Sequence, residues 1–199
     1  MKIAITGGIG SGKSKIIELL KKEGFSTFSC DDIYKNVVQN AEYVKQVAAF
    51  FPECIINNLL DKKRLAEIVF NDKKRREQLN AIAHPLIMQT LYKQMENCDS
   101  NFVFAEVPLL FEGNFDKDFD FVIIVQRDLE KRICSIKKRD GLSNEEIHSR
   151  LKSQIDYNSP ENKKYFGKSN FFIIENNGNL EELKNRLNNI IKTLQKQQS

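Results

Sequence analysis

Residues Gly7–Ser14 have the types and the spacing of a loop that binds phosphate groups. The segment reads G-G-I-G-S-G-K-S and fills every required position of the pattern G-x-x-x-x-G-K-[ST]. An apolar, strand-like run over residues 3–6 precedes it and a helix-like run over residues 15–20 follows it, which is the context that the pattern requires. A glycine-rich turn could match the pattern by chance, but this context favours a site for nucleotide phosphates.

The chemistry of that loop follows from its residue types. Glycines allow sharp turns that direct amide N–H groups inward, and a row of such donors at the positive end of a helix binds anions. Lys13 would add an ammonium group beside the β- and γ-phosphates, and the Ser14 hydroxyl would bind Mg²⁺, which prefers oxygen ligands. We therefore expect the phosphates to be bound by Gly8, Ile9, Gly10, Ser11, Gly12, Lys13, Ser14 and Lys15.

Acidic residues follow two of the predicted strands. Asp31 and Asp32 come directly after one apolar run, and Glu106 ends another. The carboxyl ends of strands form the ligand-binding edge of open α/β sheets, where a carboxylate can accept a proton from a hydroxyl or orient Mg²⁺. Adjacent residues on an extended chain point in opposite directions, so we expect one of the two aspartates to face the site. For Asp32 a turn or a helix cap is an equally good interpretation.

Arginines cluster where two helices are predicted in succession. Arg132 and Arg139 are seven residues apart, which places them on nearly the same face of a helix that begins near Asp128. Arg150 and Gln154 follow on a second helix. Two such helices could form a lid that brings arginines to a transferring phosphate and excludes water. A charged, solvated helix face explains the same spacing equally well.

Three further segments have both a functional and a structural interpretation. Leu109 and Leu110 could form an apolar wall for a substrate, although an ordinary strand-to-loop transition would also explain them. His84 precedes a proline that would start a helix, with the histidine partly packed. Asn176 and Gly178 follow the last predicted strand and belong either to a turn or to a loop that holds a base beside the phosphate site.

The elements that must position these residues alternate along the chain. Helical patterns separate five short strand-like runs, several of them continuously apolar, and this alternation predicts an α/β fold with a parallel sheet and right-handed crossovers. The predicted strands are Lys2–Thr6, Phe25–Cys30, Phe102–Glu106, Phe121–Gln126 and Phe171–Glu175.

Helix ends are marked by specific residues. Gly24 is expected to end the helix that follows the loop, and Ser143 with Glu146 has the spacing of a capping box. The last helix begins after Asn179, and its buried stripe is predicted to consist of Leu183, Leu187, Ile190 and Leu194.

The interval from about residue 33 to residue 101 is much longer than a crossover requires, and its pattern is entirely helical. We expect an insertion that binds the acceptor, although extra helical packing without a ligand is the alternative. We predict a single domain over residues 1–199, with a core (1–32, 101–127 and 165–199), the helical insertion (about 33–100) and a lid (about 128–164).

Composition excludes several classes of protein. The chain has 199 residues, a formal net charge of +4 and 41% hydrophobic residues, an ordinary globular balance. The basic cluster 73–76 is interpreted as a solvated helix face, so no nucleic-acid partner is expected. The four cysteines are far apart, which indicates neither a zinc site nor a redox pair and suggests a reducing cytoplasm. No signal peptide or membrane-spanning segment is recognised, and no membrane partner is expected.

Together these segments resemble the dephospho-CoA kinase family over essentially the whole chain. The resemblance is carried by T-G-G-I-G-S-G-K-S (6–14), S-C-D-D-I (29–33), I-A-H-P-L-I (82–87), V-P-L-L-F-E (107–112), R-D-G-L-S (139–143), Gln154, and Asn176 with Gly178. Alignment through Ile33, Val37 and Val38 places Asp31 on the second acid of the family's D-A-D-x-I signature.

The resemblance implies a P-loop kinase fold and a reaction in which ATP donates its γ-phosphoryl group to the ribose 3′-hydroxyl of dephospho-CoA. It implies ATP as co-substrate and Mg²⁺ as cofactor. A monomer or weak homo-oligomer is expected, in the cytoplasm that the cysteines indicate. The catalytic residues would be Asp31 as base, Lys13 and Arg139, and ATP would also contact Arg139, Asn176 and Gly178. The acceptor would contact Asp31, His84, Leu109, Leu110, Glu112 and Arg132, and Mg²⁺ would be bound by Ser14 and Glu106.

The chain departs from the family pattern at several positions. Ser29 stands in place of the first acid, Glu106 in place of an aspartate and Lys35 in place of an arginine. Two alternatives stay open: a kinase of another small alcohol or nucleotide, and a nucleotide-dependent switch or nucleic-acid-binding ATPase. The second is disfavoured because the run 121–125 ends in Gln126 rather than in a second acidic motif.

Overall fold

The computed structural model describes residues 1–57 and 59–198, and the side chains of residues 163–165 and 198 lie outside that description. The chain divides into two compact units. The sheet unit consists of Met1–Phe28 and Cys98–Ser199, and the helical unit is Ser29–Asn97.

A five-stranded parallel sheet forms the centre of the fold. In chain order its strands are β1 (Lys2–Thr6), β2 (Ser26–Ser29), β5 (Val103–Glu106), β6 (Phe121–Gln126) and β7 (Phe171–Glu175), and their spatial order is β2-β5-β1-β6-β7. Each of the five predicted strands is present, with the second and third shorter than predicted. The register pairs Ile5 with Glu106 and Thr6 with Ile124, so β1, β5 and β6 end close together beneath the loop that follows β1.

β5, β6 and β7 are largely apolar because helices cover the sheet, whereas β2 (S-T-F-S) is mostly polar. Ile3, Phe104 and Ile123 are fully buried in a core to which α1 (Lys13–Lys22) and α8 (Leu180–Gln198) also contribute. The predicted stripe of α8 is correct at three positions and wrong at one: Ile191 is buried, whereas Ile190 packs only partly against the core. Adjacent residues differ by about 100° around a helix, and it is Ile191 that faces the core together with Leu187 and Leu194.

The remaining helices of the sheet unit are α6 (Leu129–Asp140) and α7 (Asn144–Lys152). Gly141 joins them in the left-handed conformation, with φ of 65°. The predicted capping box at the start of α7 is confirmed: the Ser143 hydroxyl accepts from the Glu146 N–H, and the Glu146 carboxylate accepts from the Ser143 N–H. Gly24, with φ of 84°, follows the last turn of α1, as predicted.

The helical unit contains α2 (Cys30–Val37), α3 (Ala41–Phe50), α4 (Lys62–Asn71) and α5 (Lys73–Glu96). The prediction that this interval is entirely helical is wrong, because β3 (Ile55–Ile56) and β4 (Leu59–Leu60) form a short antiparallel pair. Strands of two residues carry too little periodic pattern to be recognised from sequence.

A second correction concerns Pro85, which lies inside α5 and does not begin a helix. A proline removes one helical hydrogen bond, and here the loss is offset by burial of side chains on both sides of it, among them Ile82, Ile87 and Leu91. Asp72 begins α5 instead, since its carboxylate accepts from the N–H groups of Lys74 and Arg75.

Among residues 1–57 and 59–198, no helix combines the length and the apolarity that crossing a bilayer requires.

Candidate active site

The loop between β1 and α1 has the conformation that its glycines were expected to allow. Gly12 precedes α1 with φ of 102°, a region that favours glycine. A Cβ atom at Gly12 would lie 2.2 Å from Nδ2 of Asn176, and one at Gly7 would lie 2.3 Å from the carbonyl oxygen of Val125. These glycines therefore allow the loop to pack closely on the sheet edge as well as to turn.

Lys13 is folded back over this loop. Its Nζ donates to the carbonyl oxygens of Gly7, at 2.9 Å, and Gly8, at 3.3 Å, and the residue is 8% exposed. A nearly buried ammonium group is thus held within the loop, where it adds positive charge to the row of backbone N–H donors.

The two predicted Mg²⁺ ligands lie next to each other. The Ser14 hydroxyl donates to Oε1 of Glu106 at 3.1 Å, and Glu106, the last residue of β5, is 6% exposed. A hydroxyl and a carboxylate are oxygen donors of the kind that Mg²⁺ binds, and this cation commonly takes one or two protein ligands together with phosphates and water. In the described part of the chain, no three or more His, Cys, Asp or Glu side chains are grouped so that they could hold a metal ion.

Arg132 lies against the loop and not beside its predicted partner Arg139. Its Nε donates to the carbonyl oxygen of Ile9 at 2.9 Å, and a Cβ atom at Gly8 would lie 2.3 Å from its Nη2. The residue is 4% exposed, and burial lowers the pKa of its guanidinium group while Asp156 acts in the opposite direction.

Arg139 has a different environment although it shares a helix face with Arg132. Its guanidinium group donates two hydrogen bonds, of 2.7 and 2.9 Å, to the carboxylate of Asp140, and its side chain is 59% exposed. The hydrogen bond from Arg139 lowers the pKa of Asp140, and Arg150 lies 3.8 Å from the same carboxylate. The seven-residue spacing is correct as a statement about the face, but Arg132 is buried against the loop whereas Arg139 is largely exposed.

The loop after β7 supports the phosphate loop from one side. Nδ2 of Asn176 donates to the carbonyl oxygen of Ser11 at 2.7 Å, and the residue is 9% exposed. Gly178 lies beside the start of α8, where a Cβ atom would be 1.9 Å from the carboxylate of Glu182. Asn176 therefore contacts the phosphate loop directly, whereas Gly178 packs against the side chain of Glu182 in α8.

The segment that follows β5 offers less surface than predicted. Leu110 is fully buried, so in this conformation it presents nothing to an acceptor, and Leu109 is half-buried. The exposed Glu112 accepts a hydrogen bond of 2.9 Å from the Ile155 N–H. Leucines in a V-P-L-L-F sequence serve equally well as core residues, and sequence alone does not separate the two roles.

In the helical unit, Asp31 and Asp32 lie in the first turn of α2. Both are exposed, and Asp32 pairs with Lys35 at 2.7 Å. The prediction that the two aspartates point in opposite directions is wrong, because the helix begins at Cys30 and the two side chains differ by about 100° rather than 180°. His84 is half-buried within α5, and burial lowers its pKa.

The sequence predicts that Gln154 lies on the second helix of the lid, and this is wrong, because α7 ends at Lys152 and Gln154 follows it. Gln154 accepts a hydrogen bond of 2.8 Å from the Ile9 N–H, and the hydroxyl of Tyr157 lies 3.1 Å from that of Thr6. A cavity of about 410 Å³ lies beside Gln154, lined by residues of α6, α7 and the segment 154–158. The lid-like position of Gln154 in the sequence was a signal, but nothing in the sequence indicated that it reaches Ile9.

Comparison with known proteins identifies the family. The family described as dephospho-CoA kinase matches residues 1–182. A dephospho-CoA kinase of Thermus thermophilus is 33% identical over 192 residues, covering 96% of this chain and 91% of the relative. One from Fusobacterium nucleatum is 33% identical, covering 98% of each. The structure of the Campylobacter jejuni dephospho-CoA kinase, 30% identical, superposes with a TM-score of 0.68 and full coverage of both chains. This chain has a phosphate loop with a buried lysine at the edge of a parallel sheet, and it matches these enzymes over nearly its whole length. It is therefore a member of the dephospho-CoA kinase family.

Proposed function

We propose that this chain transfers the γ-phosphoryl group of ATP to the 3′-hydroxyl of dephospho-CoA, giving CoA and ADP in the last step of CoA biosynthesis. The observation that carries the proposal is the phosphate loop with Lys13 buried inside it, within a chain that matches the family over residues 1–182. Catalysis in this class depends on positioning and on stabilising the charge of the transferring group.

ATP would be bound through its phosphates by Lys13 and by the backbone of Gly8–Lys15, apart from the Ile9 N–H, which donates to Gln154 in this structure. The loop supplies N–H donors at the start of α1, where the helix dipole also favours an anion. Asn176 would act from behind the loop through its hydrogen bond to Ser11, and Gly178 would lie next to it. Burial of Lys13 strengthens its attraction for phosphate because little water screens the charge.

Mg²⁺ would be held by Ser14, with Glu106 either binding it or orienting its water molecules. When bound, the cation would neutralise charge on the β- and γ-phosphates. Glutamate is one methylene longer than the aspartate common in the family, yet its carboxylate is already within hydrogen-bond distance of the Ser14 hydroxyl. This contact supports the assignment of both residues.

Asp31 would accept the proton of the attacking hydroxyl. Its exposed carboxylate stands in the first turn of α2, directly after β2 along the chain, and the carboxyl ends of strands are where such sheets bind ligands. His84, Leu109 and Glu112 are proposed to contact the acceptor. Leu110 would do so only after a rearrangement that exposes it, because it is fully buried here.

Arg139 would contact the transferring phosphate when the α6–α7 pair closes. In this structure its guanidinium group is satisfied by Asp140, so closure would exchange one anionic partner for another. Arg132 was assigned to the acceptor from sequence, and its contacts with Gly8 and Ile9 support a role at the phosphate loop instead.

One assay tests the proposed function. Purified protein is incubated with Mg²⁺, ATP and dephospho-CoA, and formation of CoA is read by mass. A panel of other alcohols and nucleosides separates this activity from that of another small-molecule kinase. Hydrolysis of ATP at full rate without any acceptor would instead favour a nucleotide-dependent switch. The cytoplasmic location, the monomeric or weakly oligomeric state and the absence of a nucleic-acid partner stay predictions.

A further inference from the structure

Five consecutive residues, 154–158, tie the chain beyond α7 to the sheet unit, and we call this segment the strap. Each residue of the strap contacts a different part of the unit. The side chain of Gln154 accepts from the Ile9 N–H (2.8 Å), and the Ile155 N–H donates to Glu112 (2.9 Å). The carboxylate of Asp156 lies 4.0 Å from the guanidinium group of Arg132. The Tyr157 carbonyl accepts from the side chain of Gln126 (2.6 Å), and the side-chain amide of Asn158 donates to the Arg127 carbonyl (2.8 Å).

The strap is anchored in the core by Tyr157. This side chain is 2% exposed, its ring stacks on Phe166 with centroids 5.8 Å apart, and its hydroxyl meets that of Thr6, which is fully buried. Burial raises the pKa of Tyr157, so the phenol stays neutral and keeps its proton for hydrogen bonding. The strap therefore has a fixed position that does not depend on the side chain of Gln154.

From this fixed position the strap reaches the middle of the phosphate loop. Both backbone groups of Ile9 are held by side chains: its N–H donates to Gln154 and its carbonyl oxygen accepts from Nε of Arg132 at 2.9 Å. The two peptide groups that flank Ile9 are thus each fixed in orientation. The neighbours of Ile9 are Gly8 and Gly10, and Gly10 has φ of 77°. Peptides between glycines rotate at little steric cost, so their orientation must be set by such contacts.

We infer that Gln154 and Arg132 are positioning residues for the phosphate grip, acting by fixing the two peptide groups of Ile9. The inference rests on the proposed function only in that the loop binds ATP. Amide donors bind an anion well when they already point toward it, because no free energy is then lost in ordering them. Loss of either contact should therefore weaken the binding of ATP and leave the acceptor unaffected.

The decisive variant is Gln154→Met, which keeps the length of the side chain and removes its hydrogen-bonding groups. Gln197→Met on the exposed end of α8 is the matched control. The dissociation constant for Mg·ATP is measured by calorimetric titration without acceptor, and kcat and both KM values are measured with dephospho-CoA. We expect the dissociation constant and the KM for ATP to rise about tenfold, the effect of one lost hydrogen bond. The KM for the acceptor and the thermal midpoint should match those of the control.

Equal increases in the KM values for ATP and for the acceptor would overturn the inference, because they would indicate a general defect of the α6–α7 region. Unchanged ATP affinity would overturn it as well. Hydrogen exchange at the Ile9 amide provides a second readout that does not need activity: exchange should be faster in Gln154→Met than in the control, and equal rates would contradict the proposed contact.

Arg132→Lys tests the other half of the pair, since lysine keeps the charge but cannot donate through Nε. The double variant should weaken ATP binding by less than the product of the two single effects, because both residues hold the same peptide pair. Strict multiplication would overturn the pairing. If the wild-type protein binds ATP but makes no CoA, the proposed function fails while this inference stands. If the wild-type protein makes CoA and the variants bind ATP normally, the inference fails while the proposed function stands.

Discussion

The hydroxyl of Ser14 donates a hydrogen bond of 3.1 Å to the carboxylate of Glu106, which joins the first turn of α1 to the end of β5. The two residues are 92 positions apart in the sequence, and the parallel pairing of β1 with β5 brings them together. Both supply oxygen atoms, and the first prediction concerns what they bind.

Glu106→Gln should raise the Mg²⁺ concentration needed for half-maximal activity, because the amide keeps the shape of the side chain and removes its charge. We expect a shift of about tenfold, the effect of a weakened charged contact. Glu175→Gln, at the exposed end of β7, is the control. A titration curve that coincides with that of the control would remove Glu106 from the metal site. Chelation of Mg²⁺ should abolish activity in every variant.

Lys13→Ala should reduce the rate constant for phosphoryl transfer far more than the affinity for ATP. The ammonium group contributes most where charge develops on the transferring group, while backbone N–H donors still bind the ground state. Single-turnover measurements with saturating ATP isolate the chemical step. Lys22→Ala, whose lysine pairs with Glu18 on the exposed face of α1, is the control. A variant with a normal rate constant and weak ATP binding would assign Lys13 to binding alone.

Asp31→Asn should keep ATP binding and lose most of the turnover, since the amide cannot accept a proton. A loss of about a hundredfold or more is expected for removal of a general base. Asp32→Asn removes a neighbouring carboxylate that forms an exposed pair with Lys35 and should have little effect. Comparable turnover in the two variants would exclude Asp31 as the base.

Gly12→Ala should weaken ATP binding and lower stability for two reasons that a control can separate. The backbone conformation is unfavourable for alanine, and the added methyl group would meet Asn176. Gly24→Ala has the first cost without the second, because its φ is 84° and no atom lies within 4 Å of the added Cβ. Denaturant unfolding should therefore show a larger loss for Gly12→Ala, and Asn176→Ala added to Gly12→Ala should recover part of it. Equal losses in the two single variants would mean that the contact with Asn176 contributes nothing.

His84 should make the protein less stable as the pH falls below neutrality. Burial lowers its pKa from the ordinary value of 6.5, so between 6.5 and the folded-state pKa the unfolded chain binds more protons. Protonation then favours unfolding, and the free energy of unfolding falls with pH through this window. In His84→Gln the pH dependence should be smaller, whereas His148→Gln, at an exposed position on α7, should retain it. Parallel stability curves for wild type and His84→Gln between pH 7.5 and 5 would contradict the assignment.

The sequence predicts the phosphate loop and the sheet well because their signals are local. Gly7–Ser14 is a contiguous motif, most of the strands are short, largely apolar runs, and Ser143 with Glu146 form their capping box within a single helical turn. Where only local chemistry decides the conformation, the expectation and the structure agree.

The remaining differences arise where tertiary packing decides. Pro85 was expected to start a helix, but side chains buried along α5 hold the helix together across it. Arg132 and Arg139 lie on nearly the same face of α6, so a helix diagram cannot distinguish them. The packing of α6 beside the loop buries Arg132 and leaves Arg139 exposed. Gln154 reaches Ile9 across 145 residues of sequence, a contact that no local pattern encodes.

The strand order has a consequence for synthesis of the protein. β1 is made before both of its neighbours in the sheet, β5 and β6, which begin at Val103 and Phe121. As the chain leaves the ribosome, the apolar segment that precedes the phosphate loop has no neighbouring strand until the residues from Val103 onward have emerged. Until then this segment stays unpaired, which favours formation of the sheet late in translation.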